Sequence, residues 1–129
     1  MIRPALAAAL LASLPASLQA ADISTHVLDL ARGVGGRDVP VVLSQRDGQG
    51  GWVERARART DANGRVRAFG GTYSPADYQL RFDLTGYPDA AAKPFFPEIV
   101  VVFRVSDAAG HYHVPVVYSP YGYSTYRGN

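Results

Sequence analysis

Three histidines are the side chains of this sequence best suited to proton transfer, and two of them lie close together. His111 and His113 are two residues apart, and residues at i and i+2 of a β-strand point to the same face. His26 lies far away in the chain, in the segment Ser-Thr-His-Val-Leu-Asp. A histidine pair can exchange protons near neutral pH, bind a metal ion or simply face solvent. The residue pattern leaves these three uses open.

A metal site would need ligands beyond the histidine pair. The sequence contains no cysteine, which excludes thiolate ligands, a thiolate nucleophile and disulfide bonds. A structural zinc site takes four ligands, so all three histidines would have to converge with a carboxylate. The residues therefore support a metal site only weakly, and no metal ligand is assigned from them.

The C-terminal stretch is rich in tyrosine and hydroxyl groups. Residues 119–129 read SPYGYSTYRGN, whereas a solvated tail is typically richer in Lys and Glu and poorer in aromatic residues. On a strand, Ser124 and Tyr126 would share one face. Tyrosines at alternate positions are also typical of a half-buried sheet, so a structural use stays open beside a functional one.

Short β-branched and apolar segments, separated by Gly, Pro and Asn turns, must position these side chains. A turn is expected over residues 61–64, Asp-Ala-Asn-Gly, because Asn and Gly tolerate the positive φ of hairpin connections. Residues 88–93 lie next to prolines at both ends and could hold a short helical turn. The predicted strands cover residues 23–30, 39–45, 52–60, 78–84, 99–105, 111–118 and 121–127. This pattern indicates an all-β antiparallel sandwich.

Length and composition limit the classes of protein that the chain can be. Its 129 residues suit one domain, and a hydrophobic fraction of 47% with 19% charged residues is enough for a packed core. The formal net charge is only +2, without a cluster of Lys and Arg. We therefore expect no nucleic-acid partner.

The first twenty residues have the layout of a secretory signal peptide. Arg3 supplies a positive start, an Ala- and Leu-rich run covers residues 4–14, and small residues precede Ala20. This run is too short to span a bilayer, which needs about 20 apolar residues. We predict a signal peptide over residues 1–20, a domain over residues 21–129, a periplasmic location and no membrane contact after cleavage.

Four segments together make the chain resemble the transthyretin-like 5-hydroxyisourate hydrolases. They read STHVLD at residues 24–29, DANGR at 61–65, FFP at 95–97, and HYHVP at 111–115 followed by SPYGYSTYRG at 119–128. The last motif is highly specific, and the resemblance covers the chain from about residue 23 onwards. One departure is Asn129, where the family usually has a serine after Tyr-Arg-Gly.

The resemblance implies a two-sheet antiparallel β-sandwich of about eight strands with one short helix. It further implies a homotetramer with active sites at the subunit interface. The implied reaction is hydrolysis of 5-hydroxyisourate at a C–N bond of its six-membered ring, a step in the degradation of urate to allantoin. The product is a ureidoimidazoline acid, and no cofactor is needed.

Carried over position by position, the resemblance assigns catalytic roles to His26, Arg65 and His113. Tyr126 and Ser124 would bind substrate. A histidine can accept a proton from water near neutral pH, and an arginine suits an oxygen-rich anion. Which of His26 and His113 is the base is left open, and His111 is expected to tune or pack.

A second reading of the same residues is a carrier rather than an enzyme. An exported transthyretin-like domain could bind a small ligand without catalysis. In that case His26 and His113 would be idle, and their combination with Arg65 and Tyr126 favours the enzyme.

Overall fold

The computed structural model describes residues 21–129 of the chain. The predicted signal peptide over residues 1–20 lies outside the described residues. Within the described part, no helix is long and apolar enough to cross a membrane.

Nine strands, two of them only two residues long, form two sheets over residues 21–129. They are β1 (Asp22–Asp29), β2 (Val34–Gly35), β3 (Pro40–Arg46), β4 (Trp52–Arg59), β5 (Arg65–Val66), β6 (Ala76–Asp83), β7 (Glu98–Val105), β8 (His111–Ser119) and β9 (Gly122–Thr125). The first sheet has the order β2-β1-β8-β9, with β5 also paired to β1, and the second has the order β4-β3-β6-β7. The prediction of a two-sheet all-β sandwich is confirmed.

One strand pair departs from the antiparallel expectation. β1 and β8 run parallel, with Thr25 opposite Val114 and His26 opposite Pro115, whereas the other pairs are antiparallel. A parallel pair needs a long crossover connection, and here the second sheet lies between the two strands in the chain. The pairing brings the STHVLD and HYHVP segments side by side.

The core lies between the two sheets and follows the alternation of the strands. Because successive side chains point to opposite faces, every second residue of β1 and β8 is buried in the core. The core side chains of the first sheet include Ile23, Val27, Tyr112, Val114 and Val116, and those of the second include Val41, Leu43, Tyr78, Leu80 and Phe82. The side of the first sheet that faces away from the core is called the outer face below.

The predicted short helix is not formed in the described residues, which is a correction to that expectation. Residues 88–93 form turns, in which the Ala92 amide donates to the Asp89 carbonyl at 3.1 Å. The Asp89 carboxylate also accepts from the Ala91 amide at 2.9 Å. A first helical turn is costly to form, and Pro94 prevents the extension that would compensate for that cost.

Candidate active site

The strand register places the three predicted catalytic residues on the outer face. His26 of β1 lies opposite Arg65 of β5, and Ser24 of β1 lies opposite His113 of β8. Directly opposed residues of paired strands project to the same side. The neighbours Thr25 and Val114 are buried in the other direction, so these four side chains share the outer face.

A tight turn holds Arg65 at this face. The Asp61 carboxylate accepts the amide protons of Asn63 at 2.8 Å and of Arg65 at 2.9 Å. These bonds to backbone amides, that of Arg65 first, lower the pKa of the Asp61 carboxyl and keep it charged. Gly64 has φ +80°, and its carbonyl accepts from the Val27 amide at 2.8 Å, which attaches the turn to β1.

His26 is held by that same turn. Its Nε2 lies 2.8 Å from the carbonyl oxygen of Asn63. A carbonyl oxygen can only accept, so Nε2 must carry the proton in this bond. In the neutral ring the lone pair is then on Nδ1. His26 therefore has a defined tautomer beside Arg65.

His113 is held from two sides. Its Nδ1 lies 2.7 Å from the hydroxyl oxygen of Ser24. On another side, the Gly128 amide donates to the His113 carbonyl at 2.8 Å. A Cβ at position 128 would lie only 2.5 Å from His113 Cδ2, so the residue there must be glycine for this close contact.

A cavity of about 190 Å³ joins Arg65 and His113 on the outer face. Its lining is mostly polar and consists of Ser24, Thr25, Arg65, Val66, Arg67, His111, His113 and Asn129. His26 lies outside this lining and borders an adjoining open recess, where Arg65 is again a wall residue. Arg65 thus connects the surroundings of the two histidines.

Burial and positive neighbours disfavour the charged form of His113. Its partial burial is the main cause that holds the pKa below its ordinary value, and the charges of Arg65, His26 and His111 act in the same direction. The lowered pKa favours the neutral His113 imidazole, which is the form that can accept a proton.

The two predicted substrate-binding residues lie outside this cavity in the protomer. Tyr126 borders a separate groove of about 300 Å³, which His113 also lines, and is 54% exposed. Ser124 is exposed and pairs with Val117, four residues along β8 from His113. Ser124 shares the outer face with the cavity but is not part of its wall, and both roles stay predictions.

Three residues of the cavity were not predicted as site residues from the sequence. Ser24 lines it, Arg67 adds a second cation, and Asn129, noted only as a departure from the family, also lines it. The i, i+2 spacing of Ser24 and His26 could have placed both on one face. No sequence signal shows that Ser24 meets His113, because that contact depends on the pairing of β1 with β8.

His111 lies at the border of the cavity and is paired loosely with an acid. Its Nδ1 lies 3.8 Å from the Asp22 carboxylate, and both side chains are more than half exposed. Such an exposed pair contributes little to stability. Over residues 21–129, no three or more His, Cys, Asp or Glu side chains are grouped so that they could hold a metal ion.

Fold and site together define a class: a small two-sheet sandwich with histidines and an arginine on the outer face of one sheet. The sequence profile of the HIUase/Transthyretin family matches residues 23–128. The chain belongs to this family.

Individual relatives agree with this assignment. The chain is 41% identical to a 5-hydroxyisourate hydrolase of Caulobacter vibrioides, over 83% of this chain and 97% of the relative. The solved 5-hydroxyisourate hydrolase of Klebsiella pneumoniae is 30% identical, with a TM-score of 0.72 over 84% of this chain and 99% of that one. Transthyretin of Sparus aurata is 27% identical, with a TM-score of 0.76 over 82% and 95%. The fold is therefore common to relatives with different names.

Proposed function

We propose that the chain is an enzyme that hydrolyses 5-hydroxyisourate by opening its six-membered ring at a C–N bond. The main support for the proposal is the cavity that Arg65 and His113 line together, where burial lowers the pKa of His113. Relatives at about 40% identity carry the name of this hydrolase, which agrees with that chemistry.

The size and polarity of the cavity suit such a substrate. Pockets for drug-sized ligands measure roughly 300–1,000 Å³ and are mostly apolar. The cavity here has about 190 Å³ and presents two arginines, so a small anionic heterocycle fits better than a large apolar ligand. The Arg65 guanidinium would bind the carbonyl oxygen and the negative charge that develops on it.

We assign His113 as the general base. Its Nδ1 is bonded to Ser24, which leaves Nε2 for a water molecule. Water would give a proton to Nε2 while its oxygen attacks the ring carbonyl, and the departing ring nitrogen would then take that proton. General-base catalysis of this kind contributes about 10²–10⁴-fold. His26 would orient the substrate beside Arg65, and Tyr126 and Ser124 would bind it.

We propose further that the enzyme is a homotetramer with its sites at subunit interfaces. β7 and β9 are edge strands on their sheets, and exposed edges invite pairing with another chain. Apolar residues are exposed along them, with Val102 at 53% and Tyr123 at 43%. In an assembly, Ser124 of one subunit could reach the site of another. A solution molar mass four times that of the mature chain would support this, and a monomer that is fully active would contradict it.

The periplasmic location is also a proposal, and it depends on residues 1–20. Export would remove this segment and release a protein that begins at residue 21 or one residue later. Mass spectrometry of the periplasmic fraction tests this directly. Full-length chain confined to the cytoplasm would contradict the proposal.

The experiment that tests the enzymatic function separates turnover from binding. Arg65→Gln should reduce kcat/KM for 5-hydroxyisourate by about 10²-fold or more, because it removes the donor that stabilises the oxyanion. Arg81→Gln is the control, since Arg81 lies on the second sheet in an exposed pair with Glu98. If both variants and the wild type bind urate yet none accelerates ring opening, the carrier reading replaces the enzyme.

A further inference from the structure

Ser24 is a buried hydroxyl in direct contact with the base of the proposed reaction. We propose that Ser24 is a positioning residue whose oxygen accepts the Nδ1–H of His113 and so keeps the lone pair on Nε2, where water is activated. This inference rests on the proposed function and adds a residue to its machinery.

The contact is built into the fold. Ser24 and His113 are 89 residues apart in the chain, and the parallel register of β1 and β8 sets them directly opposite each other. The Ser24 residue is only 6% exposed, and its oxygen lies 2.7 Å from Nδ1. Both residues line the cavity. A short bond between elements this firmly paired fixes the orientation of the ring.

The remaining contacts of the ring leave Nε2 as its reactive atom. Gly128 lies against the Cδ2 edge of His113, and Ser24 occupies Nδ1. The outer end of an imidazole consists of Nε2 and Cε1, and of these only Nε2 can exchange a proton. Ser24 and Gly128 therefore confine the ring without using this atom.

The donors that line the cavity indicate which partner donates in the hydrogen bond between Ser24 and His113. A serine hydroxyl can donate or accept, and a neutral imidazole carries one N–H. If Ser24 donated, Nε2 would carry the proton and could not take one from water. Arg65 and Arg67 already supply donors to the cavity, so an attacking water needs an acceptor. The tautomer with hydrogen on Nδ1 provides it.

With this tautomer, every proton of the hydrolysis step is accounted for. Water gives one proton to Nε2, a C–O bond forms, and the imidazolium keeps its Nδ1–H bonded to Ser24. The C–N bond breaks as the ring nitrogen takes the proton from Nε2, which restores the starting tautomer. The burial of the ring and the charge of Arg65 disfavour the imidazolium, which favours transfer of its Nε2 proton to the departing nitrogen.

Nitrogen-15 nuclear magnetic resonance of histidine-labelled mature protein reads the tautomer directly. The His113 signals are assigned with the His113→Gln variant. We expect hydrogen on Nδ1 in the wild type and a shift of the His113 tautomer in Ser24→Ala. The same variant should lose roughly 10–100-fold in kcat with KM little changed. Ser24→Thr, which keeps the hydroxyl, should recover most of the lost rate.

Ser44→Ala is the matched control. Ser44 is 7% exposed, nearly the same as Ser24, but it lies on the second sheet. It should keep both the His113 tautomer and kcat. A similar loss in both variants would show a general packing effect and overturn the inference.

Other outcomes separate this inference from the function on which it rests. The wild type could fail to open the ring while its His113 carries hydrogen on Nδ1, and Ser24→Ala could change that tautomer. This result would contradict the proposed reaction but support the role of Ser24 in setting the tautomer of His113. A bare Nδ1 in the wild type, or an unchanged kcat and tautomer in Ser24→Ala, overturns the inference. A covalent substrate adduct on Ser24 in quenched reactions would also overturn it, because Ser24 would then be a nucleophile.

Discussion

At the residue scale, the two histidines of the outer face are bonded through different ring nitrogens. His26 donates from Nε2 to the Asn63 carbonyl, whereas His113 is bonded through Nδ1 to Ser24. The sequence could identify both histidines and Arg65 as candidates, since their types suit proton transfer and anion binding. It could not assign their tautomers, because the partners Asn63 and Ser24 are set by turn geometry and strand pairing.

A pH profile tests the electrostatics around His113. The burial of the ring and the charge of Arg65 lower its pKa, so we expect the neutral form that a base needs to be lost only as the pH falls through that lowered value. Arg65→Gln removes one cause of the lowering. We expect the acid limb of kcat/KM to move to higher pH in this variant, while the rate itself falls.

The lowered pKa of His113 also makes the free energy of unfolding depend on pH. The unfolded chain binds the proton of His113 more readily than the folded one, so the free energy of unfolding should decrease as the pH falls below the unfolded pKa. Comparison with His113→Gln in urea titrations isolates this effect.

An acid limb of the pH profile that does not move in Arg65→Gln would contradict the assignment of His113 as base.

At the element scale, the site depends on two connections that cross long stretches of sequence. The parallel pairing of β1 with β8 sets Ser24 against His113, and the 61–65 turn attaches β5 to β1. The seven longer strands and the turn could be predicted from alternation and from the Asp-Ala-Asn-Gly segment, whereas the two-residue strands β2 and β5 were not predicted. The partners of the strands could not be predicted, because local patterns carry no information on which strands pair.

We expect substitutions in the chain segment after β9 to affect the reaction rate as strongly as substitutions in the strands. In Gly128→Ala the new Cβ would come within 2.5 Å of His113 Cδ2, so the ring must move. Displacement of a catalytic group by about 1 Å can cost 10²-fold in rate. We expect a loss of this order in kcat with the fold retained, as measured by steady-state kinetics and circular dichroism.

Gly122→Ala is the control for that substitution. Its Cβ would meet no atom closer than the Ser119 hydroxyl at 3.9 Å, which is an ordinary contact. It should keep wild-type kcat. Equal activity of the two variants would show that the segment at Gly128 does not constrain His113.

At the scale of the whole molecule, a single protomer brings together only part of the proposed site. Arg65 and His113 share a cavity within one chain, whereas Ser124 is exposed elsewhere on the outer face. The family resemblance predicted a two-sheet sandwich, and the short helix it implied is replaced by turns at residues 88–93. Whether and how copies of the chain would assemble depends on complementary surfaces, which a strand pattern does not encode.

Charge on an edge strand tests the proposed assembly. Val102→Lys adds a solvated cation to β7, and lysine on an exposed edge opposes pairing between chains. We expect a smaller solution molar mass and a lower kcat/KM. Val53→Lys on β4, the opposite edge of the same sheet, is the control, since Val53 is 49% exposed and Val102 is 53% exposed. Identical molar masses for both variants would contradict an interface at β7.

The ultraviolet decay of 5-hydroxyisourate, generated in place from urate by urate oxidase, tests directly whether the chain is a hydrolase with His113 as its base. We expect the mature chain to accelerate the decay and His113→Ala to lose about 10²–10⁴-fold of this acceleration while remaining folded. Equal acceleration by both proteins would contradict the role of His113. No acceleration by the wild type would contradict the enzyme itself.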